Sequence, residues 1–227
     1  MKRVLILFAA STFMVACGGG SQQEAVETTE EQDLPVVEAS VIYEVEEGST
    51  MNWRGFKTHV PWDHTGMIKI AGGEINMEGE NMVAGSFHVD MNSIALTGSL
   101  KDNEEKSKRL IGHLRSDDFF AVDSFPTTTF DITRVVAMEG DSVKATHMIS
   151  GNLTIRGITK NISFPAMVMM HDQKLHIKAE TFTIDRTEWN VMYDSESWIG
   201  EITEATKEKL IDHNIELDFD LMAQLQS

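Results

Sequence analysis

The chain alternates. In Ile215-Glu216-Leu217-Asp218-Phe219-Asp220-Leu221 apolar residues take every odd position and acids every even one. A strict period of two means a strand with one buried and one wet face. Phe87-His88-Val89-Asp90-Met91 and Leu175-His176-Ile177-Lys178-Ala179 keep the same rhythm, and Ile162-Ser163-Phe164-Pro165-Ala166 keeps it more weakly. Further runs of β character lie at Val41–Val45, Met67–Ile75, Thr127–Val136 and Val143–Ile155. Turn residues separate many of these runs: Glu47-Gly48-Ser49, Gly72-Gly73, Glu78-Gly79, Glu139-Gly140-Asp141, His171-Asp172-Gln173 and Arg156-Gly157. About nine short strands joined by tight turns predict one antiparallel meander, which must close or sandwich to hide its edges.

One stretch departs from this period. Asp102 to Leu114 predicts a helix, with Leu110, Ile111 and Leu114 on one side and the pairs Glu104/Lys108 and Glu105/Arg109 at i,i+4. A second helical turn is expected near Glu204–Leu210.

Charge narrows the function. Nineteen Lys and Arg against 36 Asp and Glu give a formal charge of −17. Such a chain repels nucleic-acid phosphates and cannot dock on anionic lipid through a basic patch. There is one cysteine, Cys17, so no intrachain disulfide forms and the fold rests on its own core. Cys17 follows Lys2-Arg3, the apolar run Val4–Phe13 and the small-residue exit Met14-Val15-Ala16. That run is half the roughly 20 residues a membrane span needs, and the arrangement is a secretory signal. With cysteine at its exit the signal resembles that of bacterial lipoproteins. The resemblance implies removal of 1–16, acylation of Cys17, and attachment to an envelope membrane, the outer membrane facing the periplasm or the cell surface. Residues 17–40 hold six acids, no Lys or Arg and no aromatic residue, and are expected to form a disordered tether. The remaining 41–227 form the β-domain.

Within that domain an ordered set of motifs stands out: Val83–Ile94, His113–Phe120, Phe125-Pro126-Thr127-Thr128-Thr129-Phe130, Gly151–Lys160 and Phe182-Thr183-Ile184-Asp185-Arg186. In this order and spacing they resemble the YceI-like family. The resemblance implies an all-β, lipocalin-like antiparallel barrel of about eight strands with one or two short helices. It also implies an interior that binds a long-chain amphiphile, a polyisoprenoid, an isoprenoid quinone or a related lipid, and it is compatible with a homodimer. Asn190 stands where the family usually has glycine, in the segment Arg186-Thr187-Glu188-Trp189-Asn190.

If the barrel holds a lipid, alternation nominates Phe87, Val89, Phe130, Leu153, Ile155 and Phe182 for its wall. Trp53, His64, His113 and Arg186 would stand nearer a polar head. His64-Thr65-Gly66 matches a His-x-Gly element of the family. Phe119 and Phe120 follow the helix as a plug or anchor. An inward Arg186 would need a counter-charge, and Asp90 is the expected partner. Twelve methionines of the mature chain, Met148, Met167, Met169 and Met170 among them, could line a lipid cavity or fill a core. The eight histidines are scattered without zinc spacing. No nucleophile elbow, phosphate loop or dinucleotide fingerprint occurs, so no metal, cofactor or catalytic residue is assigned. A packed barrel that binds another envelope component, and a lipid-modifying enzyme, remain the alternatives.

Overall fold

The computed structural model describes residues 24–37, 41–139 and 145–226. The signal segment, Cys17 and the Gly140-Asp141 turn lie outside the described residues. Nine strands form one antiparallel sheet. They are β1 (Val41–Val45), β2 (Thr50–Lys57), β3 (Asp63–Glu78), β4 (Asn81–Leu96), β5 (Thr127–Ala137), β6 (His147–Ile155), β7 (Ile158–His171), β8 (Lys174–Asp185) and β9 (Ile211–Leu225). Each strand from β2 to β9 pairs with the next, and β2 pairs with β9, which closes the sheet.

Strand β1 adds no ninth stave. It pairs with Glu74–Met77 of β3 and Ala223–Leu225 of β9, while β2 pairs with Asp63–Lys69 and Ile211–Asp220 of the same two strands. The two therefore occupy one stave in succession. At the break between them Ser49 Oγ accepts from the Met222 amide at 3.0 Å and donates to the Glu46 carbonyl at 3.0 Å. The result is the lipocalin-like barrel of eight staves, its edges removed by closure.

The strand β2 had no place among the runs read from the sequence. Its inward residues Met51, Trp53 and Gly55 do alternate, but the pairing with β9 slips between Gly55 and Lys57. That bulge moves the apolar position from odd to even at Phe56 and hides the period.

The connections gather the helices at one end. Helix α1 (Glu104–Arg115) links β4 to β5, capped by the Asn103 side chain on the Lys106 amide and bearing the Glu104–Lys108 ion pair at 2.6 Å. Its apolar side, Leu110, Ile111 and buried Leu114, lies against the core cluster. Between β8 and β9 run a 3-10 turn (Arg186–Trp189) and two four-residue helices, α2 (Glu196–Ile199) and α3 (Glu204–Lys207). Asn190 caps the 3-10 turn at φ 57°, a left-handed position that asparagine tolerates nearly as glycine does. No helix among the described residues is long and apolar enough to cross a membrane.

Two expectations are corrected. Residues 24–37 are a strap on the barrel's outer wall, not a free tether. The Val26 amide donates to the Thr183 carbonyl at 2.7 Å, and Thr29 and Asn161 exchange backbone hydrogen bonds at 2.9 Å. Asn152 accepts from the Gln32 amide at 3.0 Å and donates to its carbonyl at 2.8 Å, while Lys160 pairs with Glu30 at 2.9 Å. Composition alone counts little apolar payload in the strap. What holds it is a row of polar groups on the wall that supplies backbone partners, together with Val26 packed against the core.

The second correction concerns Arg186, which does not meet Asp90. Asp90 accepts from the Asn92 amide at 2.9 Å instead. The buried Arg186 guanidinium donates to four carbonyls: Asp212 at 2.9 Å, Val191, and Tyr193 and Ile211 at 3.0 Å each. Burial pushes its pKa down to about 10, so it stays charged at neutral pH. The fork's several N–H donors can serve converging carbonyls at once, with the charges of Asp185, Asp212 and Asp194 nearby, and here it clasps the β8–β9 connection. Arg186→Met would leave those carbonyls without their donor. We expect a loss of about 4 kcal/mol or more in urea unfolding, since each of the four orphaned acceptors costs roughly 1–3 kcal/mol.

Candidate functional site: an apolar chamber in the upper barrel

Alternation along each stave delivers side chains inward, and at the end that carries the helices they do not fill the interior. A cavity of about 340 Å³ remains there. Phe87 and Val89 of β4, Phe130 of β5, Leu153 and Ile155 of β6, and Phe182 of β8 all line it and are all buried. Trp53, His64, His113, Phe119, Phe120 and Arg186 line it as well. Every residue nominated for the wall or the head region from the sequence thus borders one space.

The methionines divide. Met51 and Met91 line the cavity, and Met77 and Met82 are buried elsewhere in the core. Met148, Met167, Met169 and Met170 do not line it, and the last two are exposed.

The roof is built by α1 and the turn that follows it. Leu110 and Leu114 face the cavity from the helix. The amides of Phe119 and Phe120 bond back to the Ser116 and Leu114 carbonyls at 3.1 Å each, which turns both rings toward the barrel. Arg156, at the β6–β7 turn, holds that roof down by donating to the Phe119 carbonyl at 2.7 Å and the Asn190 carbonyl at 2.9 Å. Trp53 packs against Gly66, where a Cβ would come within 2.1 Å of the Ala95 carbonyl oxygen and 2.3 Å of the indole. A side chain at 66 would displace the indole from the wall.

Most polar groups stand at the mouth, while Thr128 and Thr129 of β5 also border the chamber. His113 stands edge-on to Tyr193 at 4.6 Å and to Phe119 at 5.0 Å, and its Nε2 lies 3.1 Å from Asp118. Across the opening, His64 lies edge-on to Trp62 at 3.7 Å, and Lys57 sits 5.1 Å over the same indole. Burial lowers the His64 pKa, outweighing the pull of Asp63, so the imidazole is neutral near pH 7. The negative charge of Asp194 raises the Tyr193 pKa and keeps its hydroxyl a donor. Arg186 differs from both: four of its five N–H donations are committed to backbone. The mouth therefore offers hydrogen-bonding groups and aromatic faces beside the side chains of Lys57, Lys209 and Asp194, with no free guanidinium clamp. Among the described residues no three His, Cys, Asp or Glu side chains are placed to hold a metal ion.

Sequence reasoning did not single out Tyr193, Phe164 or Phe219 for the site. The signal for Phe219 was in hand, since it is in phase with Leu217 and Leu221 on the cleanest strand. Phe164 is likewise in phase with Ile162. Tyr193 lies in an irregular connection, where no period applies.

A YceI-like domain model matches residues 43–223, which is nearly the whole barrel. The chain belongs to the YceI-like family. Curated relatives include Protein YceI of Salmonella arizonae, 34% identical over 104 residues, which are 46% of this chain and 48% of that protein. A UPF0312 protein of Pseudomonas aeruginosa is 35% identical over 97 residues, 43% of this chain and 44% of the relative. The chain thus spans about half the length of the curated relatives it matches. Among solved structures, a polyisoprenoid-binding domain from Saccharophagus degradans, implicated in plant cell wall breakdown, superposes with a TM-score of 0.53 at 14% identity. That match covers 82% of this chain and 99% of the other. BcnA of Burkholderia cenocepacia gives 0.54 at 16% identity, covering 78% and 96%. At these identities the likeness carries the YceI-like fold alone.

A depressed imidazole pKa ties the YceI-like barrel's stability to pH. With the His64 pKa below its unfolded value of 6.5, its neutral form favours folding above pH 6.5. That contribution disappears as pH falls through the folded pKa, because the unfolded chain takes up the proton more readily. NMR titration should place the His64 midpoint below 6.5, and His64→Gln should flatten part of the fall in stability between pH 7 and 5.

Proposed function

We propose that this chain is an acylated lipoprotein of the bacterial envelope whose barrel binds a polyisoprenoid, an isoprenoid quinone or a related amphiphile, for storage or transport rather than catalysis. One observation carries the reading. The chamber is mostly apolar on its walls and roof, and most of its hydrogen-bonding groups are gathered at the mouth, which is the arrangement an amphiphile presents in reverse. Removing apolar surface from water is worth about 25 cal/mol per Å², so a tail in this chamber supplies affinity without any charged contact. Tyr193, His113 and His64 would then meet the polar head.

The anchor fits that role. A strongly acidic protein has no electrostatic hold on an anionic leaflet, so attachment would rest on the acyl chains of Cys17, and a stable hold needs more than one chain. Kept beside a bilayer, the mouth is near the source of its ligand. The polyisoprenoid binding named for the Saccharophagus relative points the same way.

The test is chemical. A Cys17→Ser variant, freed of its own acyl chains, is purified without detergent and extracted with organic solvent for mass spectrometry. We expect one class of prenyl lipid, quinone or related amphiphile in near-stoichiometric amount. A barrel that yields none, and takes up none when amphiphiles are added, would refute the reading.

A further inference from the structure

Five phenylalanines from five staves meet in one layer across the barrel: Phe87 of β4, Phe130 of β5, Phe164 of β7, Phe182 of β8 and Phe219 of β9. Phe164 is the hub. Its ring stacks on Phe182 at 4.5 Å and 12°, and it meets Phe130 at 5.4 Å and Phe219 edge-on at 5.5 Å. Phe87 completes the circuit, 5.3 Å from Phe130 and 5.6 Å from Phe219. On the remaining neighbouring stave, β6, this level carries Gly151, where a Cβ would lie 2.2 Å from Phe130 Cζ. Glycine there leaves the ring room to reach the centre.

All five rings border the chamber, which lies above them. On the other side Ile132, Ile149, Ile177 and Leu221 are buried at 2% exposure or less, and none of them borders the chamber. The layer is a floor with a filled core beneath it, and aromatic pairs at these separations resist being parted.

We infer that this phenylalanine layer is a length stop, which makes the barrel a site for short-tailed amphiphiles. The inference rests on the amphiphile-binding reading and narrows it. A dry cavity of roughly 150 Å³ accommodates benzene, so about 340 Å³ holds on the order of 14 carbons, or about three isoprene units. Units beyond the third stay outside the mouth and add nothing to affinity for the protein in water.

The test is a length series. Prenyl alcohols of two, three, four and five isoprene units compete with a fluorescent fatty-acid probe on the full chain carrying Cys17→Ser. Affinity should rise at least tenfold from two units to three and then level. Phe164→Ala removes the hub, and Phe182→Ala removes the ring stacked on it. In each folded variant the plateau should move out by about one unit. A wild-type affinity that keeps rising through five units would overturn the stop and leave the carrier reading standing. So would folded variants that keep the wild-type plateau. No binding of any prenyl alcohol to the wild type would instead fail the carrier reading itself. If neither variant folds, the wild-type series alone decides.

Discussion

An eight-stave barrel is barely wider than the side chains that point into it, and everything else in this molecule follows from that constraint. At each level along the axis the inward residues either meet across the centre or leave a space. In the half away from the helices, aliphatic residues such as Ile75, Met77, Leu175 and Leu221 meet, and they are almost wholly buried. At the middle level five phenylalanines meet. Above them the inward residues do not close the interior, and the covering falls to α1 and the turn after it. Filled core and chamber are thus products of the same alternation, separated by which residue types occupy each level.

The chamber's chemistry is equally a consequence of position. Strand interiors deliver mostly apolar groups, Thr128 and Thr129 of β5 excepted, and the strand ends and connections deliver most of the polar ones. Arg186 shows how firmly this is arranged. Its charge borders the apolar space, yet its donors are taken by the carbonyls of the β8–β9 connection. The same cation that might have clamped an anionic head instead fixes the loop that carries Tyr193. What is left for a ligand is an imidazole, a phenol and aromatic edges, with Lys57, Lys209 and Asp194 also at the lining, which suits a polar head on a hydrocarbon tail.

How much of this was legible in the sequence follows from where a local rule applies. Strands β4, β8 and β9 are readable because each keeps a period of two over at least five residues, in β8 from Leu175 to Ala179, before a bulge shifts its phase to Phe182. Strand β2 is hidden because one bulge inverts its phase at Phe56. The strap of 24–37 is invisible to composition, since its partners Asn152 and Asn161 lie more than a hundred residues away and contribute polar groups, not apolar burial. Asp90 as the counter-ion of Arg186 was a guess about charge. Backbone carbonyls, which carry no sequence signature, supplied the answer. Asn190 is the opposite case: a departure from the family's glycine that a left-handed φ of 57° explains directly.

The central claim is that an amphiphile enters tail first and stops on the phenylalanine layer. A crystal structure of the barrel grown with a three-unit prenyl alcohol tests it most directly. The account predicts a tail running past Val89, Leu153 and Ile184 to end against Phe164, with the hydroxyl beside Tyr193 or His113. Density that ran below the phenylalanine layer, lay head-down, or sat only on the outer wall would contradict it.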